Sequence, residues 1–194
     1  MSQNIENRRI AIKREGEDQG YTESIQANSI NMPMKLDGSC QCGGVEFTLQ
    51  SQTPVPYQLC ACSICRKVGG YGGSVNLGGI ASSLEVLKGQ DLIKKYNGIK
   101  DRGTPNEERC SSERNFCSNC SAMLWLWDHH WPELIHPFAS AIDTELPEPA
   151  EMVCIMESSK PRWMRWPEGK KSTHTLYNKD SLEEWHKKHG YFVE

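Results

Sequence analysis

The sequence lacks the features that would place the chain in a membrane or on a nucleic acid. No apolar run approaches the roughly 18 residues that a transmembrane helix needs, and no apolar segment with a cleavage site opens the chain as a secretory signal would. Basic and acidic residues nearly balance, 22 against 25, for a net charge of −3, which argues against nucleic acid and anionic membranes as partners. We expect a cytoplasmic protein whose 194 residues form one domain with tails.

Apolar residues are also modest in number, whereas cysteine is abundant. Hydrophobic residues make up 37% of the chain, and nine residues are cysteine. A disulfide framework is not expected in the reducing cytoplasm, and nine is an odd number. Most of the cysteines form three tight clusters, whose spacing is typical of metal ligands because a short turn can aim neighbouring sulfurs at one ion. The clusters are Cys40 and Cys42; Cys60, Cys62 and Cys65; and Cys117 and Cys120.

The number of sulfurs in each cluster predicts two metal sites of different kinds. The first and third clusters together supply the four thiolates of a closed structural zinc site, whereas the middle cluster supplies three and leaves one position open, as catalytic zinc sites do. Thiolate ligands favour zinc or an iron–sulfur cluster over magnesium or calcium. Two alternatives remain: Cys110, Cys154 or a histidine closes the middle site, or the clustering involves no metal.

Short alternating segments separated by turn residues predict a mainly β, antiparallel domain. A charged stretch at residues 88–114 contains Gly98, Gly103 and Pro105, which predicts a long loop there. The expected strands are at residues 45–49, 57–62, 74–77, 84–87, 123–127, 135–142 and 153–156.

Three regions are expected along the chain. Residues 1–33 are polar without periodicity, which predicts a disordered extension. Residues 34–178 form the β domain, and residues 179–194 form a helical appendage. Ser181 and Glu184 have the spacing of a capping box, Leu182 and Trp185 supply an apolar face, and Gly190 is a typical helix end.

Three motifs give the chain its family resemblance. Residues 38–47, residues 60–67 with Gly69 and Gly70 behind them, and residues 116–120 resemble, in order and spacing, the motifs of the glutathione-dependent formaldehyde-activating enzymes. Weaker landmarks occur at residues 141–143 and 161–163, so that the resemblance covers about residues 34–166. Ser121 departs from the pattern, because the family usually has glycine after the third motif.

The resemblance implies a zinc-binding β-tent fold and two zinc ions per chain. The structural ion would be held by the first and third clusters, and the catalytic ion by Cys60, Cys62 and Cys65. It also implies a carbon–sulfur lyase that forms or breaks the S-hydroxymethyl adduct of glutathione. The residues agree with this chemistry, because coordination to a metal lowers the pKa of a thiol and makes it a nucleophile toward an aldehyde. The structural ligands would be Cys40, Cys42, Cys117 and Cys120.

The substrate-binding residues are predicted from their closeness to the middle cluster. Arg66 and Lys67 follow its last cysteine and would bind the carboxylates of an acidic thiol; the alternative is a solvated basic pair. Gly69 and Gly70 would let backbone N–H groups approach a ligand, unless they form a flexible turn. Trp163 belongs to a landmark of the resemblance and is expected near the site.

The histidines are expected to be peripheral. Asp128, His129 and His130 are interpreted as a polar loop at a strand end, with a catalytic histidine as the alternative. The other histidines have no partner spacing and are expected at the surface. They include His136, His174, His186 and His189.

Two other functions stay open at this point. One is the same chemistry on a different thiol adduct. The other is a non-catalytic, zinc-stabilised module that binds a protein partner. The expected small-molecule partner is a thiol such as glutathione, with no nucleic acid and no membrane, and the sequence indicates no oligomeric state.

Overall fold

A computed structural model of the chain describes residues 33–192. The predicted disordered extension at residues 1–33 therefore falls almost entirely outside the described residues. No helix within the described range is long and apolar enough to cross a membrane. The strands are β1 (Met34–Ser39), β2 (Glu46–Ser51), β3 (Tyr57–Cys60), β4 (Ser74–Asn76), β5 (Gly79–Ile80), β6 (Glu85–Lys88), β7 (Ile93–Lys100), β8 (Glu108–Cys117), β9 (Met123–Trp127), β10 (Leu134–Pro137), β11 (Met152–Ile155) and β12 (Lys171–Thr173), and the α-helices are α1 (Ser63–Gly69) and α2 (Leu182–His189).

The strands form three sheets, in the orders β1-β2-β6, β5-β10-β9-β8-β7 and β12-β11-β3-β4. Neighbouring strands are antiparallel, except that β11 runs parallel to both β3 and β12. The predicted fold class, mainly β and antiparallel with a short C-terminal helix, is confirmed. The parallel pairs join segments that are far apart in the sequence, and local patterns do not specify such pairs.

The predicted long loop at residues 88–114 is wrong. Most of this stretch belongs to β7 and β8, which pair antiparallel over nearly their whole length, and the turn residues Gly103 and Pro105 lie in the connection between them. β7 is an edge strand with one neighbour, and several of its side chains face solvent. Backbone hydrogen bonds to β8 therefore keep β7 in the sheet, although its sequence lacks the strong apolar alternation that predicts a strand.

The other predicted strands overlap observed ones, with two changes at their ends. The strand expected at residues 135–142 stops at Pro137, because Ala139–Ala141 turn into a 3₁₀ helix. The strand expected at residues 57–62 stops at Cys60, and the unpredicted helix α1 begins three residues later.

The core lies where the three-stranded and five-stranded sheets face each other. Phe47 of β2 meets Trp125 of β9 edge to face, with 5.0 Å between ring centroids. Both rings are buried, together with Leu36, Leu49 and Leu124 from the same sheets. This contact fixes the relative positions of the β1–β2 and β8–β9 hairpins, whose turns carry the first and third cysteine clusters.

The C-terminal helix begins and ends as predicted. Ser181 accepts a hydrogen bond from the Glu184 N–H while the Glu184 carboxylate accepts from the Ser181 N–H, and Gly190 ends the helix in the left-handed conformation. Trp185 is buried, and His186 Nε2 donates to the Val55 carbonyl at 2.7 Å. One indole and one imidazole therefore attach α2 to the β domain.

The buried His186 makes stability depend on pH. Burial lowers the pKa of His186 below its ordinary value, so the unfolded chain takes up a proton that the folded chain resists. Stability is therefore expected to fall as the pH drops below about 6.5, the unfolded-state pKa of histidine. His186→Gln keeps an N–H donor but cannot become charged, so the loss of unfolding free energy between about pH 7.5 and about pH 5.5 should be smaller in this variant. Urea unfolding of the metal-loaded protein at both pH values measures the difference.

The matched control is His129→Gln, which removes an exposed imidazole. This variant should lose as much stability on acidification as the wild-type protein. An equal loss in all three proteins contradicts the role given to His186.

Candidate metal centres and their cavity

The first and third cysteine clusters meet at the turns of two hairpins. Cys40 and Cys42 lie in the β1–β2 turn, and Cys117 and Cys120 lie in the β8–β9 turn, with the four sulfurs all within 4.8 Å of one another. Two of the contacts are 3.5 Å, between Cys40 Sγ and Cys42 Sγ, and 3.9 Å, between Cys42 Sγ and Cys117 Sγ. A tetrahedron with Zn–S bonds of about 2.3 Å has S–S edges of about 3.8 Å, so these four residues fit a zinc ion.

Hydrogen bonds reach two sulfurs of the four-cysteine cluster, and at Cys42 they favour the thiolate form. The Val45 N–H donates to Cys40 Sγ at 3.1 Å, and Asn119 Nδ2 donates to Cys42 Sγ at 3.2 Å. The Asn119 bond is the largest of the causes that lower the pKa of Cys42 to about 6. The third motif thus supplies a hydrogen-bond donor as well as two sulfurs.

The backbone at the third motif explains why glycine is usual at one of its positions. Ser121 has a φ of 63°, in the left-handed region, which disfavours residues with a side chain. Its N–H donates to the Cys117 carbonyl at 2.8 Å and closes the turn that carries Cys117 and Cys120.

The middle cluster is built where β3 passes into α1. Cys60 ends the strand, Cys62 is the N-cap of the helix, and Cys65 lies in its first turn. The three sulfurs are all within 4.8 Å of one another. The Cys62 thiol accepts from the Cys65 N–H at 3.3 Å, in the position where serine or aspartate commonly caps a helix. The C-x-C-x-x-C spacing therefore places its first cysteine at the end of a strand, its second at the helix cap and its third in the first helical turn.

The three cysteines influence one another's ionisation. Hydrogen bonds from the Cys60 and Cys65 thiols lower the pKa of Cys62, whereas the same contacts and burial raise the pKa of Cys60. One sulfur is thus favoured as a thiolate, which is the form of cysteine that binds a soft cation such as zinc.

A cavity of about 620 Å³ opens beside the middle cluster and is lined by all three of its cysteines. Within residues 33–192, no fourth cysteine, histidine or carboxylate completes the trio at that spacing. Cys110 lines the same cavity without belonging to the cluster, and Cys154 is buried in β11. The protein therefore leaves one face of the three-sulfur cluster open toward the cavity.

The wall opposite the cysteines comes from the five-stranded sheet. Cys110, Ser112 and Arg114 alternate along β8 and all line the cavity, as residues two apart on a strand share a face. Leu126 of β9, paired with Arg114, continues this face. Sequence reasoning missed this wall because it predicted a loop for the segment, whose polar side chains carry no strong apolar alternation.

The C-terminal segment completes the cavity. Tyr177, Leu182 and Trp185 line it, so α2 contributes to the wall as well as packing on the sheets. The assignment of residues 179–194 as a separate appendage remains a prediction.

The histidine expectation needs two corrections. His186 was expected at the surface but is buried, with its ring bonded to the Val55 carbonyl. His136 is not a surface residue: it is half-buried and lines the cavity, with Nδ1 3.0 Å from the Leu77 carbonyl oxygen. Burial lowers its pKa, which favours the neutral ring. Because the Leu77 carbonyl can only accept, the neutral tautomer carries its proton on Nδ1 and leaves Nε2 as an acceptor.

The predicted substrate-binding residues lie around the cluster but do not line the cavity. Arg66 Nη1 donates to the carbonyls of Ala61 and, at 2.5 Å, Ser159, so its guanidinium fastens the cysteine loop to the chain beyond β11. Lys67 is exposed. Their role in substrate binding remains a prediction.

The remaining predicted residues lie at the other end of α1. Gly69 ends the helix, and Gly70 caps it with a φ of 83°. Trp163 is exposed and contacts Tyr71, with 5.8 Å between ring centroids. None of the three lines the cavity, and their contact with substrate also remains a prediction.

Asp128, His129 and His130 follow β9 as a polar turn. The buried Asp128 accepts from the His130 N–H at 3.0 Å and from the Ser111 hydroxyl at 2.7 Å, while both imidazoles are exposed. The three side chains are close enough to hold a metal ion. The hydrogen bonds that Asp128 accepts also explain its position without a metal ion, because they cap this turn.

Gly73 supports the middle cluster through its lack of a side chain. It has a φ of 96°, and a Cβ atom there would lie 1.9 Å from the Cys60 carbonyl oxygen. Gly72 has a similar φ of 86° but open space around it. Gly73→Ala should therefore displace Cys60 and lose metal from the middle site, whereas Gly72→Ala shares the backbone strain without the clash and should keep both ions. Metal content per chain, measured after gel filtration, distinguishes the two variants, and equal metal content contradicts the role of Gly73.

Comparison with known proteins agrees with the resemblance of the motifs. The chain matches the family described as glutathione-dependent formaldehyde-activating enzyme over residues 35–156, which include all three cysteine clusters. A Halomonas elongata protein named "Putative glutathione-dependent formaldehyde-activating enzyme" is 43% identical over 160 residues, covering 81% of this chain and 98% of that protein. A crystal structure of a Rhodobacter sphaeroides protein aligns with a TM-score of 0.45 and 23% identity, over 59% of this chain and 92% of that one. The chain belongs to the family of glutathione-dependent formaldehyde-activating enzymes.

Proposed function

We propose that this protein is a zinc-dependent carbon–sulfur lyase that forms or breaks the S-hydroxymethyl adduct of glutathione. The observation that carries the proposal is the three-cysteine cluster, which faces a cavity and finds no fourth protein ligand within the described residues. Family membership supports the activation of formaldehyde with a thiol. We also infer two zinc ions per chain and a cytoplasmic location.

The residues assign different roles to the two metal sites. Cys40, Cys42, Cys117 and Cys120 would enclose a structural ion. Cys60, Cys62 and Cys65 would hold the second ion, which when bound would lower the pKa of an incoming thiol and keep it as a thiolate. The cavity beside the three cysteines leaves room for that thiol and for an aldehyde.

In the proposed reaction the thiol sulfur bonds to the aldehyde carbon, and the thiol proton ends on the former carbonyl oxygen. Two cavity residues are suited to handle this proton. His136 presents Nε2 as an acceptor when neutral. Tyr177 lines the cavity with its side chain largely exposed, and its phenol, which is protonated at neutral pH, can donate a hydrogen bond to the oxygen. The reverse sequence releases the aldehyde.

The pair Cys62→Ser and Cys110→Ser tests the proposal. Serine is a good N-cap, so Cys62→Ser keeps the start of α1 while removing one sulfur of the trio. This variant should hold about one zinc instead of two and lose glutathione binding by at least about tenfold, because a coordinated thiolate loses its metal. Cys110→Ser alters the same cavity outside the cluster and should keep both zinc ions and glutathione. Zinc analysis and calorimetric titration with glutathione measure both effects.

S-methylglutathione is the matched control ligand, since it differs from glutathione only in the methyl group that replaces the thiol proton. It should bind more weakly than glutathione to the wild-type protein and should not protect Cys60, Cys62 and Cys65 from alkylation. If zinc-loaded wild-type protein binds neither compound and Cys62→Ser unfolds, both ions are structural and the protein is a binding module. If glutathione binds but formaldehyde yields no adduct, the site acts on a different thiol adduct.

A further inference from the structure

Arg114 is a buried cation on the cavity wall with few partners. Its side chain belongs to β8, which is paired on both sides, and is 5% exposed. Nη1 makes one hydrogen bond, a long one of 3.3 Å to the Ser112 hydroxyl, and the buried Nε makes none. Within residues 33–192, no carboxylate oxygen lies within 4.0 Å of the guanidinium. A buried charge in this state is costly unless an anion compensates it.

The fold makes room for this guanidinium beside the three-cysteine cluster. A Cβ atom on Gly98 would lie 3.2 Å from Arg114 Nη1 and 2.7 Å from Ile64 Cδ1. The guanidinium therefore occupies the gap between β7 and the first turn of α1, next to Cys65. Arg114 and Cys65 line the same cavity, so the guanidinium and the sulfur that an incoming thiol would approach share one ligand space.

The other charged residues of the cavity wall are less suited to bind an anion. Lys100 and Asp101 are exposed at the end of β7, and Asp180 already pairs with Lys188 at 2.5 Å. Arg66, the arginine nearest in sequence to the cluster, uses its guanidinium on backbone carbonyls. Arg114 is thus the buried cation of the cavity within the described chain, and a guanidinium presents paired N–H donors that match a carboxylate.

We propose that Arg114 binds a carboxylate of the thiol substrate, so that the cavity selects thiols that carry an acidic group. This assignment rests on the proposed function of the three-cysteine centre and specifies its substrate class. The thiol sulfur would take the open position beside Cys60, Cys62 and Cys65. The carboxylate would pair with the Arg114 guanidinium, which has no carboxylate partner within the described chain.

The test compares two thiols that differ only in charge, 3-mercaptopropionate and its methyl ester, by calorimetric titration of zinc-loaded protein. Wild-type protein should bind the acid more tightly than the ester. Arg114→Gln should weaken binding of the acid by about 10- to 100-fold, the value of a hydrogen bond to a charged group, and leave the ester unchanged. Arg114→Lys keeps the charge without the paired donors and should show a smaller loss. Arg109→Gln removes an exposed arginine from the same strand and should change neither.

Zinc content and urea unfolding accompany each titration. If Arg114→Gln weakens both thiols equally, or loses zinc, Arg114 compensates the cysteine cluster and the carboxylate assignment is wrong. If wild-type protein binds acid and ester alike, the assignment is wrong while the thiol site stands. If it binds neither thiol, the proposed function fails first. Should Arg114→Gln not fold, the Arg114→Lys variant decides, because a loss confined to the acid supports the assignment and an equal loss overturns it.

Discussion

The convergence of sulfur atoms from distant hairpin turns is the interaction on which the rest of this structure depends. Cys42 and Cys117 are 75 residues apart in the chain, and their sulfurs are 3.9 Å apart in the fold. A structural zinc ion contributes on the order of 10–16 kcal/mol of apparent binding energy, which exceeds the net stability of many domains. An ion at this cluster would hold the β1–β2 and β8–β9 hairpins against each other where Phe47 and Trp125 already meet, which suits a chain with a modest apolar content.

In the proposed function, the middle cluster uses thiolate ligands for catalysis and not for holding the fold together. Cys60 is held on β3, a strand paired on both sides, and Cys62 and Cys65 are held by the cap and first turn of α1. These elements fix three sulfurs from one side. The opposite side is formed by β8, β9 and the C-terminal segment, which stand away from the sulfurs and leave the cavity. The closed and the open metal site that we propose would thus differ in the number of protein sulfurs, four against three, and in the cavity beside the three.

Charge in the cavity follows from this arrangement. Three thiolates around a divalent cation carry a formal charge of −1, and a fourth would make it −2, so a cation nearby is favourable. Arg114 of β8 is the buried cation on the wall of this cavity within the described chain, and Gly98 leaves the space for its guanidinium. An arginine adjacent to the cluster in sequence was the natural candidate, but Arg66 is turned toward the Ala61 and Ser159 carbonyls. Arg114, which is distant from the cluster in sequence, lines the cavity, whereas the role of Arg66 in substrate binding stays a prediction.

Cysteine spacing by itself determined the three cysteine clusters, because short turns leave neighbouring sulfurs little freedom to point apart, and alternation determined the mainly β class and most strands. Ser181, Glu184 and Gly190 determined the terminal helix, since capping is a local interaction. Tertiary structure decided what depends on pairing between strands. It formed the β7–β8 hairpin at residues 88–114, whose polar side chains carry no strong pattern, and it set the parallel pairing of β11. Tertiary structure also placed Arg114 and His136 on the cavity wall, and it placed Gly69, Gly70 and Trp163 away from it. The physical reason is that the neighbouring strands and helices decide which residues line a cavity.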